Sequence, residues 1–159
     1  MTNNDILSHI RNTFDLNDSA VIEIFDLADF AATEAQVAAW FKPEEDEAFI
    51  KLNDTELALF LNGFINLKRG KRDGEPAKLE ATLNNNMIFQ KLRIALNLKA
   101  EDILHILQLV EVRLTKHELS ALFRKPGNKH YRACKDEVLQ GFLEGIQCQL
   151  RPSDNPLES

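Results

Sequence analysis

The chain has few of the residues that mark secreted, membrane-spanning or metal-binding proteins. It contains two cysteines among 159 residues, and Cys134 and Cys148 do not form a C-x-x-C pair. An extracellular disulfide-stabilised domain of this size would be richer in cysteine. No apolar run approaches the length of about 20 residues that crosses a membrane, and the N-terminus lacks the basic and apolar segments of a secretory signal. These absences predict a soluble cytoplasmic protein with reduced thiols and no membrane partner.

Signatures of catalysis and of cofactor binding are also missing. The sequence has neither a G-x-S-x-G nucleophile motif nor a glycine-rich phosphate-binding loop. The acidic run Glu44–Glu47 follows Pro43, which is typical of an exposed turn or a helix start rather than of carboxylates held in a pocket. His117, His130 and Cys134 lack a fourth ligand at the spacing of a known zinc site. We therefore expect no catalytic residue, no metal site and no cofactor.

The chain does contain an internal repeat. A shift of 82 positions aligns residues 3–65 with residues 85–147 without a gap. Periods of this kind indicate repeated structural units, and a unit of about 65 residues is only marginally stable alone. We therefore expect two copies that share an apolar face and pack into one pseudo-symmetric globule. Identical residues at paired positions include Asn3/Asn85, Asn4/Asn86, Ile6/Ile88, Arg11/Arg93, Leu16/Leu98, Thr33/Thr115, Phe41/Phe123, Asp54/Asp136 and Gly63/Gly145.

Each copy has the apolar periodicity of short helices, and strand-like alternation is absent. The sequence therefore predicts an all-α fold. Asn4 is placed to cap the first helix, and capping-box sequences begin at Thr33 and Thr115. Gly63 and Gly145 fall inside the last helix of each copy, where a glycine costs about 1 kcal/mol relative to alanine. Close contact with another helix is the structural reason that we expect for both glycines, and close approach of the backbone to a ligand is the functional alternative.

The expected domains are a first repeat over residues 1–69, a linker over 70–83, a second repeat over 84–149 and a flexible tail over 150–159. The two repeats differ in charge. Residues 3–67 carry three Lys/Arg against thirteen acids, whereas residues 84–148 carry ten Lys/Arg against seven acids. Drift on two solvated surfaces would explain this asymmetry. The sharper interpretations are an anionic partner on the second repeat, or attraction between acidic and basic repeats of different molecules.

Residues 100–125 have the general pattern of a helix-turn-helix, and the corresponding part of the first repeat has the same pattern. If Leu119, Leu122 and Phe123 face the core, the opposite face of the second helix points to solvent and could meet phosphates or base edges. A basic cluster also follows the last helix of the first repeat. The predicted nucleic-acid or anion-binding residues are Lys71, Arg72, Lys116, His117, Ser120, Arg124, Lys125, Lys129 and Arg132.

The function that we favour from these patterns is a non-catalytic interaction or regulatory module with an unidentified protein partner. A nucleic-acid-binding regulator that uses the second repeat is the alternative, although the acidic chain is unlike a typical nucleic-acid binder. A small enzyme with an unrecognised site is a second alternative. Self-association through the oppositely charged repeats is a further hypothesis.

Several motifs resemble those of the YehS-like family, which comprises bacterial proteins of unknown function with two copies of a small domain. The resemblance covers nearly the whole chain except the C-terminal tail. It implies an all-helical bacterial cytoplasmic protein, and it carries no established activity from which catalytic residues could be transferred. The matching segments are Asn84-Asn85-Asn86, Lys91-Leu92-Arg93-Ile94-Ala95, Asp102-Ile103-Leu104-x-Ile106-Leu107 and Phe60-Leu61-Asn62-Gly63.

Overall fold

A computed structural model describes residues 1–71 and 79–151, and all regular secondary structure within these ranges is α-helical. The all-α prediction is therefore confirmed. Arg72, half of the predicted linker (residues 72–78) and most of the predicted tail (residues 152–159) lie outside the described ranges. Of the helices described, none combines the length and the apolar character of a membrane span. The helices are α1 Asn3–Thr13, α2 Asp18–Asp26, α3 Glu34–Trp40, α4 Asp54–Arg69, α5 Asn85–Leu96, α6 Ala100–Gln108, α7 Lys116–Leu122 and α8 Asp136–Leu150.

The tandem repeat is confirmed in the backbone. After the shift of 82 positions, α1–α4 coincide with α5–α8 to within one residue at every helix end. Left-handed non-glycine residues also fall at equivalent positions: Asp15 pairs with Asn97 and Asp29 pairs with Glu111, all with φ between 52° and 61°. Such conformations are uncommon outside glycine. Their recurrence shows that the turns as well as the helices repeat.

The helix starts of α3 and α7 follow the predicted capping boxes. Thr33 Oγ1 accepts a hydrogen bond from Gln36 N at 3.1 Å, and Thr115 Oγ1 accepts one from Glu118 N at 3.0 Å. The prediction for α1 is wrong, because Thr2 caps this helix in a box with Asp5. The predicted cap, Asn4, lies two residues further, in the first turn of α1, and its side chain is buried in the repeat.

The two capping boxes lead to the first stability prediction. Thr33→Ala and Thr115→Ala are each expected to lower the free energy of unfolding by about 0.5–2 kcal/mol, since each leaves a helix N–H without its partner. Urea denaturation midpoints measure the loss. Thr82→Ala, at an exposed position outside the helices, is the control and should leave the midpoint within about 0.5 kcal/mol of wild type. Unchanged midpoints in both capping variants would contradict the assignment.

The two repeats pack around a pseudo-two-fold axis. The last helix of each repeat contacts the first helix of the other, so that α4 packs on α5 and α8 packs on α1. Equivalent polar contacts cross the interface on both sides. Leu83 N donates to Asp54 Oδ2 at 2.9 Å, and the N-terminal amine lies 3.8 Å from Asp136 Oδ2. The hydrogen bonds from Asn3 and from Leu83 N lower the pKa of Asp54.

Gly63 and Gly145 lie where two helices of the same repeat touch. A Cβ on Gly63 would meet the carbonyl group of Ile24 in α2, at 2.8 Å from its carbon and closer to its oxygen. A Cβ on Gly145 would meet Ile106 in α6, at 3.1 Å from its carbonyl carbon. The prediction of close helix contact at both glycines is confirmed. Each contact fixes the second helix of a repeat against the last one.

A buried asparagine in the first helix of each repeat holds the chain that follows the third helix. Asn86 Nδ2 donates to the carbonyls of Leu122 at 3.0 Å and Arg132 at 2.8 Å, and Asn86 Oδ1 accepts from Cys134 N at 2.9 Å. Asn4 makes the equivalent three bonds in the first repeat. In this way Asn86 fixes the end of α7 and the loop after it, which form part of the candidate site.

Candidate functional site

The second repeat contains a pocket of about 570 Å³ between α5, the start of α6, α7 and the loop after α7. Four of its nine lining residues are cationic and none is acidic. The floor is apolar, from Leu119 and Phe123, and polar side chains complete the wall. We call this concavity the basic pocket. Its lining residues are Arg93, Ala100, Lys116, Leu119, Ser120, Phe123, Arg124, Lys125 and Asn128.

Arg93 is the most deeply placed of the four cations. It projects from α5 and is half-buried, with Nε donating to the carbonyl of Leu98 at 3.1 Å. Its guanidinium carbon lies 4.6 Å from the ring centroid of Phe123. A cation held against an aromatic face keeps its remaining N–H donors available to a bound group. Arg93 is therefore positioned by the fold before any ligand arrives.

Lys116 stands at the rim of the basic pocket. Its Nζ lies 2.9 Å from Glu101 Oε1, and both side chains are about two-thirds exposed. The hydrogen bond and the charge of Glu101 raise the pKa of Lys116. An exposed pair of this kind contributes little to stability, so that Lys116 can exchange Glu101 for another anion at small cost.

The corresponding region of the first repeat has a different charge. Arg11 is equivalent to Arg93 and also lies over an aromatic ring, Phe41, at 4.2 Å. However, Arg11 forms an ion pair at 3.1 Å with Asp18, which stands where the second repeat has Ala100. Over all nine positions, the first repeat has two cations and three acids, whereas the second has four cations and no acid. The repeats thus share the framework and differ in the charge placed on it.

The structure brings together four of the predicted binding residues and separates the others. Lys116, Ser120, Arg124 and Lys125 line the basic pocket. His117, Lys129 and Arg132 are exposed outside it. The guanidinium of Arg132 donates to its own loop, at the carbonyls of Tyr131 and Lys129. Lys71 lies in a different concavity, where it pairs with Asp29 at 3.1 Å, and Arg72 is outside the described residues. The roles of all nine residues stay predictions.

Two polar residues of the basic pocket were missed by the sequence analysis. Arg93 appeared only as a matched position of the repeat and within a segment that carries the family resemblance, and Asn128 was not considered. The signal for Arg93 was available in the alignment of the repeats. Arg11, its equivalent, pairs with Asp18, and the second repeat has Ala100 in place of that acid. The signal for Asn128 was weaker. It depends on the fold of the loop, where Asn128 Oδ1 accepts from His130 N at 2.8 Å.

The residues that we considered for metal binding do not converge. Among the described residues, no group of three or more His, Cys, Asp or Glu side chains could hold a metal ion. Cys134 is buried, and this burial raises the pKa of its thiol to about 11. A thiol with a raised pKa is a poor ligand and a poor nucleophile. The acidic run Glu44–Glu47 is exposed on a turn and does not line the basic pocket.

Comparisons with known proteins identify relatives but no activity. The family model described as "Protein of unknown function (DUF1456)" matches the chain twice, over residues 3–70 and 85–151. The uncharacterized protein YehS of Escherichia coli (strain K12) is 40% identical over 147 residues, which cover 92% of this chain and 94% of that protein. No solved structure matches the chain.

Proposed function

This chain belongs to the DUF1456 family of proteins of unknown function, and from the geometry of its second repeat we propose that it is a non-catalytic binding module. In this proposal the basic pocket binds an acidic segment of a protein partner. One observation carries the proposal: nine equivalent positions of the two repeats hold four cations and no acid in one case, and two cations and three acids in the other.

The chemistry of the basic pocket suits carboxylate groups. Arg93 and Arg124 can each offer two parallel N–H donors to a carboxylate, and Lys116 and Lys125 add point charges. Ser120 and Asn128 supply neutral hydrogen-bond donors at the wall. Because Phe123 already orients Arg93, less conformational entropy is lost when a ligand binds.

The distribution of charge over the whole chain favours a short acidic segment over a long polyanion. Residues 3–67 carry ten more acids than Lys/Arg residues, and they repel any anion that extends from the basic pocket towards them. Screening limits this repulsion to about 8 Å at physiological ionic strength. A short acidic segment would contact only the second repeat. A long nucleic acid would extend past the acidic first repeat and be repelled by it.

A nucleic-acid-binding regulator remains the second candidate function. It is supported by the exposed face of α7, on which Lys116, His117 and Ser120 point away from the core. The helix pair itself differs from a tight helix-turn-helix, because residues 109–115 separate α6 from α7 and α7 ends at Leu122. Turns of about 3–4 residues are usual in that motif.

Fluorescence anisotropy with a labelled hexaglutamate peptide tests the proposal. We expect the wild-type protein to bind it at low salt, and Lys116→Glu/Arg124→Glu to weaken binding by about tenfold or more, since both cations line the basic pocket. Thermal stability should be nearly unchanged, because both side chains are exposed.

The matched control is Lys51→Glu/Lys135→Glu. It changes the net charge by the same amount at exposed positions outside the basic pocket, and it should leave the affinity within about twofold. Equal losses in both double variants would show that only the net charge matters and would contradict the proposal. Tighter binding of a 20-nucleotide single strand than of hexaglutamate, with a steep dependence on salt, would favour the nucleic-acid alternative.

We also propose that the protein acts in the cytoplasm. Cys134 is a buried free thiol, which is the usual state of a cysteine in a reducing compartment.

A further inference from the structure

A second concavity, of about 1210 Å³, runs between the two repeats. Its floor is formed by α4 and α5, one end lies at the C-terminal ends of α2 and α4, and the other end lies at the C-terminal end of α7. We call it the inter-repeat groove. It adjoins the basic pocket, because Phe123, Arg124 and Lys125 line both.

The floor of the inter-repeat groove is largely apolar and open to solvent, and its main polar contact is the hydrogen bond of 2.6 Å that Lys91 Nζ donates to Asn62 Oδ1. Leu59 and Ile65 from α4, and Met87 and Ile94 from α5, line it. Ile94 is 43% exposed to solvent, and Leu79 at the edge of the groove is 42% exposed. Large apolar side chains gathered in one exposed groove are typical of an interaction site.

The pseudo-symmetric face of the molecule serves as an internal comparison. There α8 and α1 take the places of α4 and α5. At the positions equivalent to the four apolar floor residues, this face has Gly141, Gln147, Asp5 and Asn12. The guanidinium of Arg151 also crosses between the repeats here, donating to the carbonyl of Asn12 at 2.7 Å. The repeat framework alone therefore does not require an apolar groove.

Unbalanced positive charge lies at the two ends of the inter-repeat groove. Both acids in its lining are already paired: Asp29 with Lys71 at 3.1 Å, and Glu80 with Lys91 at 3.0 Å. The cations that remain are Arg69 at one end, and Arg124 and Lys125 at the other. Within the described residues, these three have no acidic side chain within ion-pair distance. A complementary partner is therefore apolar along its middle and acidic at its ends.

We propose that the inter-repeat groove binds an amphipathic helix of a protein partner, with apolar residues at i, i+3, i+4 and i+7 and acidic residues at both ends. The inference rests on the proposed function, because the acidic end of this helix would occupy the basic pocket. Helix-in-groove binding uses one apolar stripe in this way. A helix with its side chains is about 10–12 Å across, so that a groove of 1210 Å³ accommodates about two turns of one.

A second copy of this chain fits the inter-repeat groove less well. In a symmetric dimer the same surface meets itself, so that Arg124 and Lys125 would face cations of the other copy at both ends. Like charges that face each other across an interface weaken association. The partner with acidic ends is therefore the occupant that the charges favour.

Three synthetic 18-residue peptides test the inference by fluorescence anisotropy. The first has leucines at i, i+3, i+4 and i+7 with glutamates at both ends; the second replaces the glutamates with lysines, and the third replaces the leucines with glutamines. We expect the first peptide to bind about tenfold more tightly than either of the others, since each lacks one of the two complementary features.

Ile94→Asn introduces the residue of the pseudo-symmetric position and is expected to weaken binding of the first peptide by about tenfold. It should leave hexaglutamate binding unchanged, because Ile94 does not line the basic pocket. Ile50→Asn is the matched control, since Ile50 is 50% exposed and lies outside the groove. This control should bind the first peptide like wild type.

Two results would overturn the inference while the proposed function stands: binding of the first peptide no tighter than that of the other two, or equal binding to wild type and Ile94→Asn. A wild-type dimer in sedimentation velocity that Ile94→Asn dissociates would also overturn it, because a second copy would then fill the groove. If Lys116→Glu/Arg124→Glu binds hexaglutamate normally, the proposed function itself is wrong. The inference that the partner has acidic ends is then wrong as well.

Discussion

Gly63→Ala is expected to lower the free energy of unfolding by about 3 kcal/mol, although alanine has the higher helix propensity by about 1 kcal/mol. The added methyl group would meet the carbonyl group of Ile24. These are backbone atoms, so that no side-chain rotation relieves the clash. The helices α2 and α4 have to move apart, which opens the core on both sides of the contact. Gly145→Ala should have a similar effect through Ile106.

Urea denaturation of Gly63→Ala and Gly145→Ala gives the measurement, and Gly127→Ala provides the control. Nothing lies within 4 Å of a Cβ built on Gly127, so that this variant should stay within about 0.5 kcal/mol of wild type. A Gly63→Ala protein as stable as wild type, or more stable, would show that α2 and α4 are not in close contact.

Asn86→Ala is expected to cost about 3 kcal/mol of stability. The side chain makes three hydrogen bonds of 2.8–3.0 Å, and its removal leaves one buried carbonyl, one part-buried carbonyl and one buried N–H without these partners. Each buried polar group that stays unsatisfied costs about 1–3 kcal/mol, and water that enters recovers part of the loss. Asn4→Ala should behave alike, because Asn4 makes the equivalent bonds.

Thermal or urea unfolding measures this loss against a matched asparagine. Asn12→Ala removes an exposed side chain from the same helix as Asn4, and should change the stability by less than about 0.5 kcal/mol. If Asn86→Ala and Asn12→Ala unfold at the same urea concentration, Asn86 does not hold the loop after α7 in the way that the structure describes.

The fold could be predicted largely from the sequence, because the sequence contains two copies of the same helical unit. The capping boxes at Thr33 and Thr115 and the glycines at positions 63 and 145 depend on local spacing, and each expectation was strengthened by its second copy. The shift of 82 positions also predicted that helix order would repeat, which the helix boundaries confirm.

Features that depend on contacts distant in the chain could not be predicted. Asn4 matched the pattern of a helix cap, yet its partners lie in residues 40–52, which only the folded chain brings near. The α4–α5 contact likewise joins the end of one repeat to the start of the next. Spacing within a helix carries no information about such pairings.

The candidate site could be predicted only in part, because some of its residues are brought together by contacts distant in the chain. Lys116 and Ser120 follow from the outward face of α7, because helical periodicity places them, and Arg124 and Lys125 come just after the end of this helix. Arg93 comes from α5, and no local pattern connects α5 with α7. The Asp18-to-Ala100 difference between the repeats was the one sequence signal that pointed to Arg93 as an unpaired cation.

The central claim is that the two repeats share one framework and that only the second binds an anionic segment. The most direct test is a ¹H–¹⁵N NMR titration of the wild-type protein with hexaglutamate at low salt. We expect the backbone amide signals of Arg93 and of the non-proline residues in 116–128 to shift with a common saturation curve. The equivalent signals, those of Arg11 and of the non-proline residues in 34–46, should stay in place. Equal shifts in both repeats, or no saturable shift in residues 116–128, would contradict the claim.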